Sequence, residues 1–234
     1  MSTFAMTSWS MATGALSHAA TPMDWTPGYA ATMAAMWWIM MIAMMLPSAA
    51  PVILLHAQID RGTRTRSGNP VSLWPTAMFS AGYLSVWGLF SVLAAAFQWA
   101  FEVAGLLSPF MMNGTSFVFA GLILLYAGAY QLSPMKQACL RQCQGPLQFL
   151  SRHWRPGLWG AFGMGVHHGA ICLGCCFGLM LILFFGGIMN LYWIVGLAIL
   201  VFMEKIVVRG QWLSRLTGIL LIAWSFAFLA HAFD

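Results

Sequence analysis

Acidic side chains are nearly missing from this chain. Asp and Glu together number five in 234 residues, and charged residues of both signs make up 6%, against ~25% in soluble globular domains. That shortage excludes a soluble domain of any size. Carboxylate dyads, glycine-rich nucleotide-binding loops and hydrolase triads are also missing, which argues against an enzyme working by acid–base chemistry. The first 27 residues contain no Lys or Arg, so they lack the basic start of a secretory signal. Cysteine is scarce, with five in all, and none sits in the C-x-x-C-H pattern that attaches a c-type haem.

What the chain does have is apolar length. Hydrophobic residues make up 61%, and they gather into runs near the ~20 residues that cross a bilayer as a helix. The reading is an all-α, polytopic membrane bundle of about six transmembrane helices, at 29–56, 73–101, 115–132, 158–185, 189–208 and 211–233. Residues 1–27 form an external N-terminal tail, and 28–234 form a single transmembrane domain. The tail carries Met1, Met6, Met11, His18, Met23 and Asp24, and reads either as a metal-collecting segment or as a plain terminus. Net charge is +5, yet the pattern does not suit nucleic acid. All ten Lys and Arg fall at Arg61, Arg64 and Arg66, at Lys136, Arg141, Arg152 and Arg155, and at Lys205, Arg209 and Arg215. Those are alternate connections between apolar runs, the positive-inside signature, so both termini are expected outside and the lipid bilayer is the first partner.

Within the fourth run stands Gly163-Met164-Gly165-Val166-His167-His168-Gly169-Ala170-Ile171-Cys172-Leu173-Gly174-Cys175-Cys176. At about 100° per residue, Cys172, Cys175 and Cys176 fall roughly 40°, −20° and 80° from His168, so the four share one helical face. His167 points to another side, with Gly163, Ala170, Gly174 and Gly178, a stripe that would let a neighbouring helix approach. Ionisable groups at bilayer depth are functional candidates, and thiolate with imidazole is a soft ligand set suited to Cu(I), zinc or iron–sulfur. The bland alternative is that cysteine packs as a small hydrophobe. The first run adds a methionine stripe, Met33, Met36, Met40 and Met44, flanked by Met41 and Met45. It reads as adaptable packing or as a thioether ladder for a soft ion. Pro47 and Pro51 follow it and should kink the inner half.

Ser133-Pro134 marks the start of a short helix with Cys139 and Cys143 one turn apart and His153 further on. The two thiols are either a Cu(I) pair or a coincidence at the membrane surface. At ~1.5 Å per residue, Met40–Met45 and Cys172 share the midplane. His167, His168 and Glu204 then sit roughly 5–8 Å further in by that rise, so Glu204 is at the height to orient or join a histidine, unless it pairs with a nearby base.

These residues carry a resemblance. Met36-Trp37 through Pro51, the Leu132-Ser133-Pro134-Met135-Lys136 segment with Cys139 and Cys143, His153-Trp154-Arg155, His168-Gly169 with Cys172 and Gly174-Cys175-Cys176, Met189-Asn190-Leu191 and Glu204-Lys205 resemble the bacterial predicted metal-binding integral membrane proteins, a family defined by a domain of unknown function. The likeness runs from Ala35 to the C-terminus. It implies a metal-binding His/Cys helix and a multi-pass place in the bacterial inner membrane. The expected metal ligands are His167, His168, Cys172, Cys175 and Cys176, with Met40, Met44, Glu204, Cys139 and Cys143. Copper is favoured, with zinc the alternative, and the function is transport, delivery to another membrane or periplasmic metalloprotein, or assembly of one. A membrane thiol–disulfide oxidoreductase using Cys172 and Cys175, and an accessory subunit of a membrane metalloenzyme complex, are the competing readings.

Overall fold

A computed structural model describes residues 25–68, 70–107, 117–207 and 210–230. The methionines of the tail, His18 and Asp24 lie outside them. Every regular element among the described residues is a helix: α1 Pro27–Arg66, α2 Trp74–Val103, α3 Phe117–Leu132, α4 Pro134–Gln144, α5 Pro146–His153, α6 Leu158–Gly186, α7 Leu191–Ile206 and α8 Gly210–Ala230. Local chemistry sets several boundaries. The Thr26 hydroxyl accepts from the Tyr29 amide at 3.2 Å with Pro27 in the first turn, and the Ser133 hydroxyl does the same for Lys136, which satisfies amides that a helix start leaves open. Gly157 and Gly187 bracket α6 with φ of 84° and 93°, a conformation that L side chains resist.

α1 departs from the sequence reading. It is helical past the 29–56 span read from the sequence, through Pro47 and Pro51 and on to Arg66. An i,i+4 pair, Arg64 Nε to Asp60 at 2.8 Å, lies on that extension and adds the modest support such pairs give.

Four helices, α1, α2, α6 and α8, are long and apolar enough to cross a membrane. α3 and α4 together meet the same test as one span bent by 61°. α7, expected to span, has 16 residues. The bundle surface carries large exposed apolar side chains on every long helix, among them Ile39, Leu54, Leu89, Trp159 and Leu220.

α6 is the central helix: more than half of its apolar stretch is buried, against a third or less for the other three long helices. It packs on α2, α3, α4 and α7, while α8 lies along α3 and α1 lies along α2 and α7. α6 and α2 approach each other closely. A Cβ on Gly165 would strike the Phe79 carbonyl oxygen, and one on Gly82 the Phe162 carbonyl. The stripe expected from Gly163, Ala170, Gly174 and Gly178 is therefore not a single interface. Gly163 faces open space, Gly174 makes room for Cys139, and Gly178 makes room for Tyr130. Backbone cannot yield as a flexible side chain can, so Gly165→Val should lower the thermal midpoint in detergent by about 4–10 °C, and Gly163→Ala should stay within ~2 °C, read by fluorescence-monitored melting.

Candidate metal centre

The face predicted from helical pitch is buried: His168 is 3% exposed, and Cys172, Cys175 and Cys176 are 1–2% exposed. The three thiols have different neighbours. Cys172 Sγ lies 3.2 Å from the Tyr83 hydroxyl and 2.9 Å from Lys205 Nζ. Cys175 Sγ lies 3.7 Å from Cys143 Sγ across the α4–α6 interface. Cys176 turns back on its own helix, donating to the Cys172 carbonyl at 3.0 Å. Cys139 is half-buried with its sulfur over Gly174, and Tyr130 on α3 donates to the Gly174 carbonyl at 2.5 Å. A glycine at 174 thus gives α4 room to bring its thiols to α6.

α1 closes the other side. Met41, Met44 and Met45 are buried, and Met40 is half-buried at the margin of the same core. The Tyr83 hydroxyl donates to the Met45 carbonyl at 3.3 Å, and Lys205 Nζ donates to the Ser48 hydroxyl at 2.9 Å. Tyr83 and Lys205 therefore tie α1, α2, α6 and α7 together at Cys172. Neither was singled out from the sequence. Lys205 reads there as a marker of topology.

Glu204 is not placed beside an imidazole. Lys136 Nζ lies 2.7 Å from one of its carboxylate oxygens and Gln131 Nε2 lies 2.9 Å from the other. Lys136 also bonds Gln131 Oε1. Both ions are buried, at 0% and 2% side-chain exposure. Adjacent residues on a helix point about 100° apart, so Glu204 faces α3 and α4 while Lys205 faces α6 and α1. Two of the ten basic residues are thus interior, Lys136 paired with Glu204 and Lys205 beside Cys172 and Ser48, and the charge asymmetry of the connections rests on the other eight.

The four histidines among the described residues, His56, His153, His167 and His168, gather at one end of the centre. Phe149 lies 5.1 Å from His153, 5.6 Å from His167 and 5.1 Å from His168, centroid to centroid. Phe79 stacks on His56 at 4.9 Å. Tyr83 stacks on His168 at 5.8 Å while its hydroxyl meets Cys172, so it stands between imidazole and thiol. The Nδ1 atoms of His56 and His168 are buried without a hydrogen-bond partner.

Chemically, this is a pair of sulfurs, Cys143 and Cys175, in a methionine-rich core, with a phenol and an ammonium group one turn away at Cys172. At a metal–sulfur distance of about 2.3 Å, two thiolates stand ~3.8 Å apart at a tetrahedral angle and ~4.6 Å apart in line. The Cys143–Cys175 spacing of 3.7 Å is close to the first, so an ion held in line between these two sulfurs alone requires them to part by roughly 1 Å. Among the described residues, no three His, Cys, Asp or Glu side chains are arranged to hold one ion together. The donor set fits a soft ion of low coordination number.

Fold and centre together define a class: an all-α chain of long apolar helices around a buried cluster of thiols. The family model described as PpoB2, copper chaperone, matches residues 34–228, and the chain belongs to that family. No curated protein and no solved structure matches it.

The buried ion pair makes a clear prediction. Lys136→Met strands Glu204 and should cost about 3–5 kcal/mol, whereas Lys136→Met/Glu204→Met should recover most of that loss. Equilibrium unfolding in mixed detergent reads both.

Proposed function

We propose that this protein is a multi-pass membrane copper-delivery protein that takes Cu(I) as cargo on Cys143 and Cys175 and passes it to a recipient metalloprotein. The observation that carries this reading is the 3.7 Å approach of those two sulfurs, from separate helices, inside a buried cluster. Membership of a copper chaperone family agrees with it. Copper is favoured over zinc because structural zinc sites take four N or S ligands, and a two-sulfur pair does not supply them. Binding Cu(I) between two thiols releases two protons and leaves one net negative charge. Lys205, at Cys172 one turn along α6, supplies the opposite charge that a buried anion needs.

Cys139, Cys172 and the methionines of α1 are secondary sulfurs over which the ion can step. Glu204 acts through Lys136 by holding α4 in place, not as a ligand. α3 and α7 complete six spans, with the loop arginines inside, both termini outside and the bacterial inner membrane as the location. The recipient meets the outer face.

The same sulfur pair favours one competing reading, thiol–disulfide exchange, with Cys143–Cys175 in place of Cys172–Cys175. Cu(I) titration of reduced, detergent-purified protein separates the two. Wild type should bind Cu(I) with an ultraviolet thiolate-to-metal band. Cys143→Ser and Cys175→Ser should each weaken binding by at least the roughly 10–100-fold that losing an outer-shell partner costs, and Cys176→Ser should change it little. No Cu(I) uptake, together with a Cys143–Cys175 disulfide in aerobically purified protein, would move the assignment to redox chemistry.

A further inference from the structure

His153 and His167 come from different helices, α5 and the first half of α6, yet their rings meet edge to face, with centroids 4.5 Å apart at 89°. They line a cavity of about 150 Å³ with Arg155, Gly163 and Met164. His167 is exposed and His153 half-buried, so solvent reaches both.

The hydrogen bonding of His153 is informative. Its Nδ1 lies 3.0 Å from the Phe149 carbonyl oxygen. A carbonyl only accepts, so Nδ1 carries the proton and the lone pair of the neutral ring sits on Nε2. That is the tautomer in which metal-binding histidines are held, with the far nitrogen donating to a backbone carbonyl. Behind the pair, in contact with the same Phe149 ring, lies His168 with its Nδ1 buried and unpartnered. Cys172 follows one turn later on α6, linked to His168 through Tyr83.

We infer that His153 and His167 form a separate two-imidazole metal site at the mouth of the bundle, which receives copper before the sulfur pair does. The inference rests on the copper reading for its direction but not for its ligands. Imidazole is a borderline donor and thiolate a soft one, so a cuprous ion gains by moving from the mouth past His168 to Cys143 and Cys175. Arg155, on the same wall, adds positive charge, so the ion is held there with an anionic co-ligand such as chloride.

Two measurements test this. In chloride buffer, detergent-purified protein with all five cysteines changed to serine should bind one Cu(II) with electron paramagnetic resonance splitting from two imidazole nitrogens. In that background His153→Ala or His167→Ala should weaken binding at least about tenfold and remove the two-nitrogen pattern, while His56→Ala keeps it. With cysteines present, His153→Ala/His167→Ala should slow the growth of the Cu(I)–thiolate band by about tenfold without changing its final height. No bound Cu(II), a two-nitrogen signal that survives the His153→Ala/His167→Ala change, or an unchanged loading rate would overturn the mouth site. A wild type that shows no Cu(I)–thiolate band, beside a cysteine-free variant that still shows the two-nitrogen signal, would leave the mouth site standing and sink the sulfur pair instead.

Discussion

An ammonium group that has left water must find polar or charged partners inside the protein, because the cost of an unpaired ion in an apolar medium exceeds what packing returns. This bundle holds two, and its inner helices are arranged around them. Lys136 is tied to Glu204 and Gln131, which joins α4 to α7 and α3. Lys205 is tied to Cys172 and Ser48, which joins α7 to α6 and α1. Because the two anchors leave α7 from adjacent residues, this one short helix sets the positions of both cysteine-bearing elements.

The sulfur pair is a product of that arrangement. Cys143 reaches Cys175 only if α4 folds back against α6. The 61° bend after Leu132, the space left at Gly174 and the Lys136–Glu204 tie all favour that placement. On α6, Cys175 and Cys176 both spend their S–H on the Cys172 carbonyl. The partner sulfur had to come from elsewhere in the chain.

Helical periodicity made the buried face of α6 legible in the sequence, because His168, Cys172, Cys175 and Cys176 differ only by multiples of a known angle. The all-α class followed from composition for a similar reason. The partner of Cys175 was not legible, since it depends on a bend and on a contact across 32 residues that no local pattern encodes. The methionine stripe was half legible. Met33, Met41, Met44 and Met45 face inward but Met36 and Met40 only partly, since neighbours α2 and α7 cover a wider sector of α1 than a strict i, i+3, i+4 row would fill. The partner of Glu204 was missed because lysines in connections look alike in a sequence whether they face water or a carboxylate.

The length of α1 has a consequence for height. Its 40 residues span ~60 Å at ~1.5 Å each, twice the ~30 Å of a hydrocarbon layer. From Met45, level with Cys172 through Tyr83, to Arg61 is sixteen residues, or ~24 Å along the axis. On the proposed membrane reading, with Met45 at the bilayer centre, Arg61, Arg64 and Arg66 would stand beyond the acyl chains, at the height of the lipid phosphates. Guanidinium groups bind phosphate firmly, so the arginine end of α1 would then act as a depth gauge, fixing the distance of the thiol cluster from that layer of phosphates.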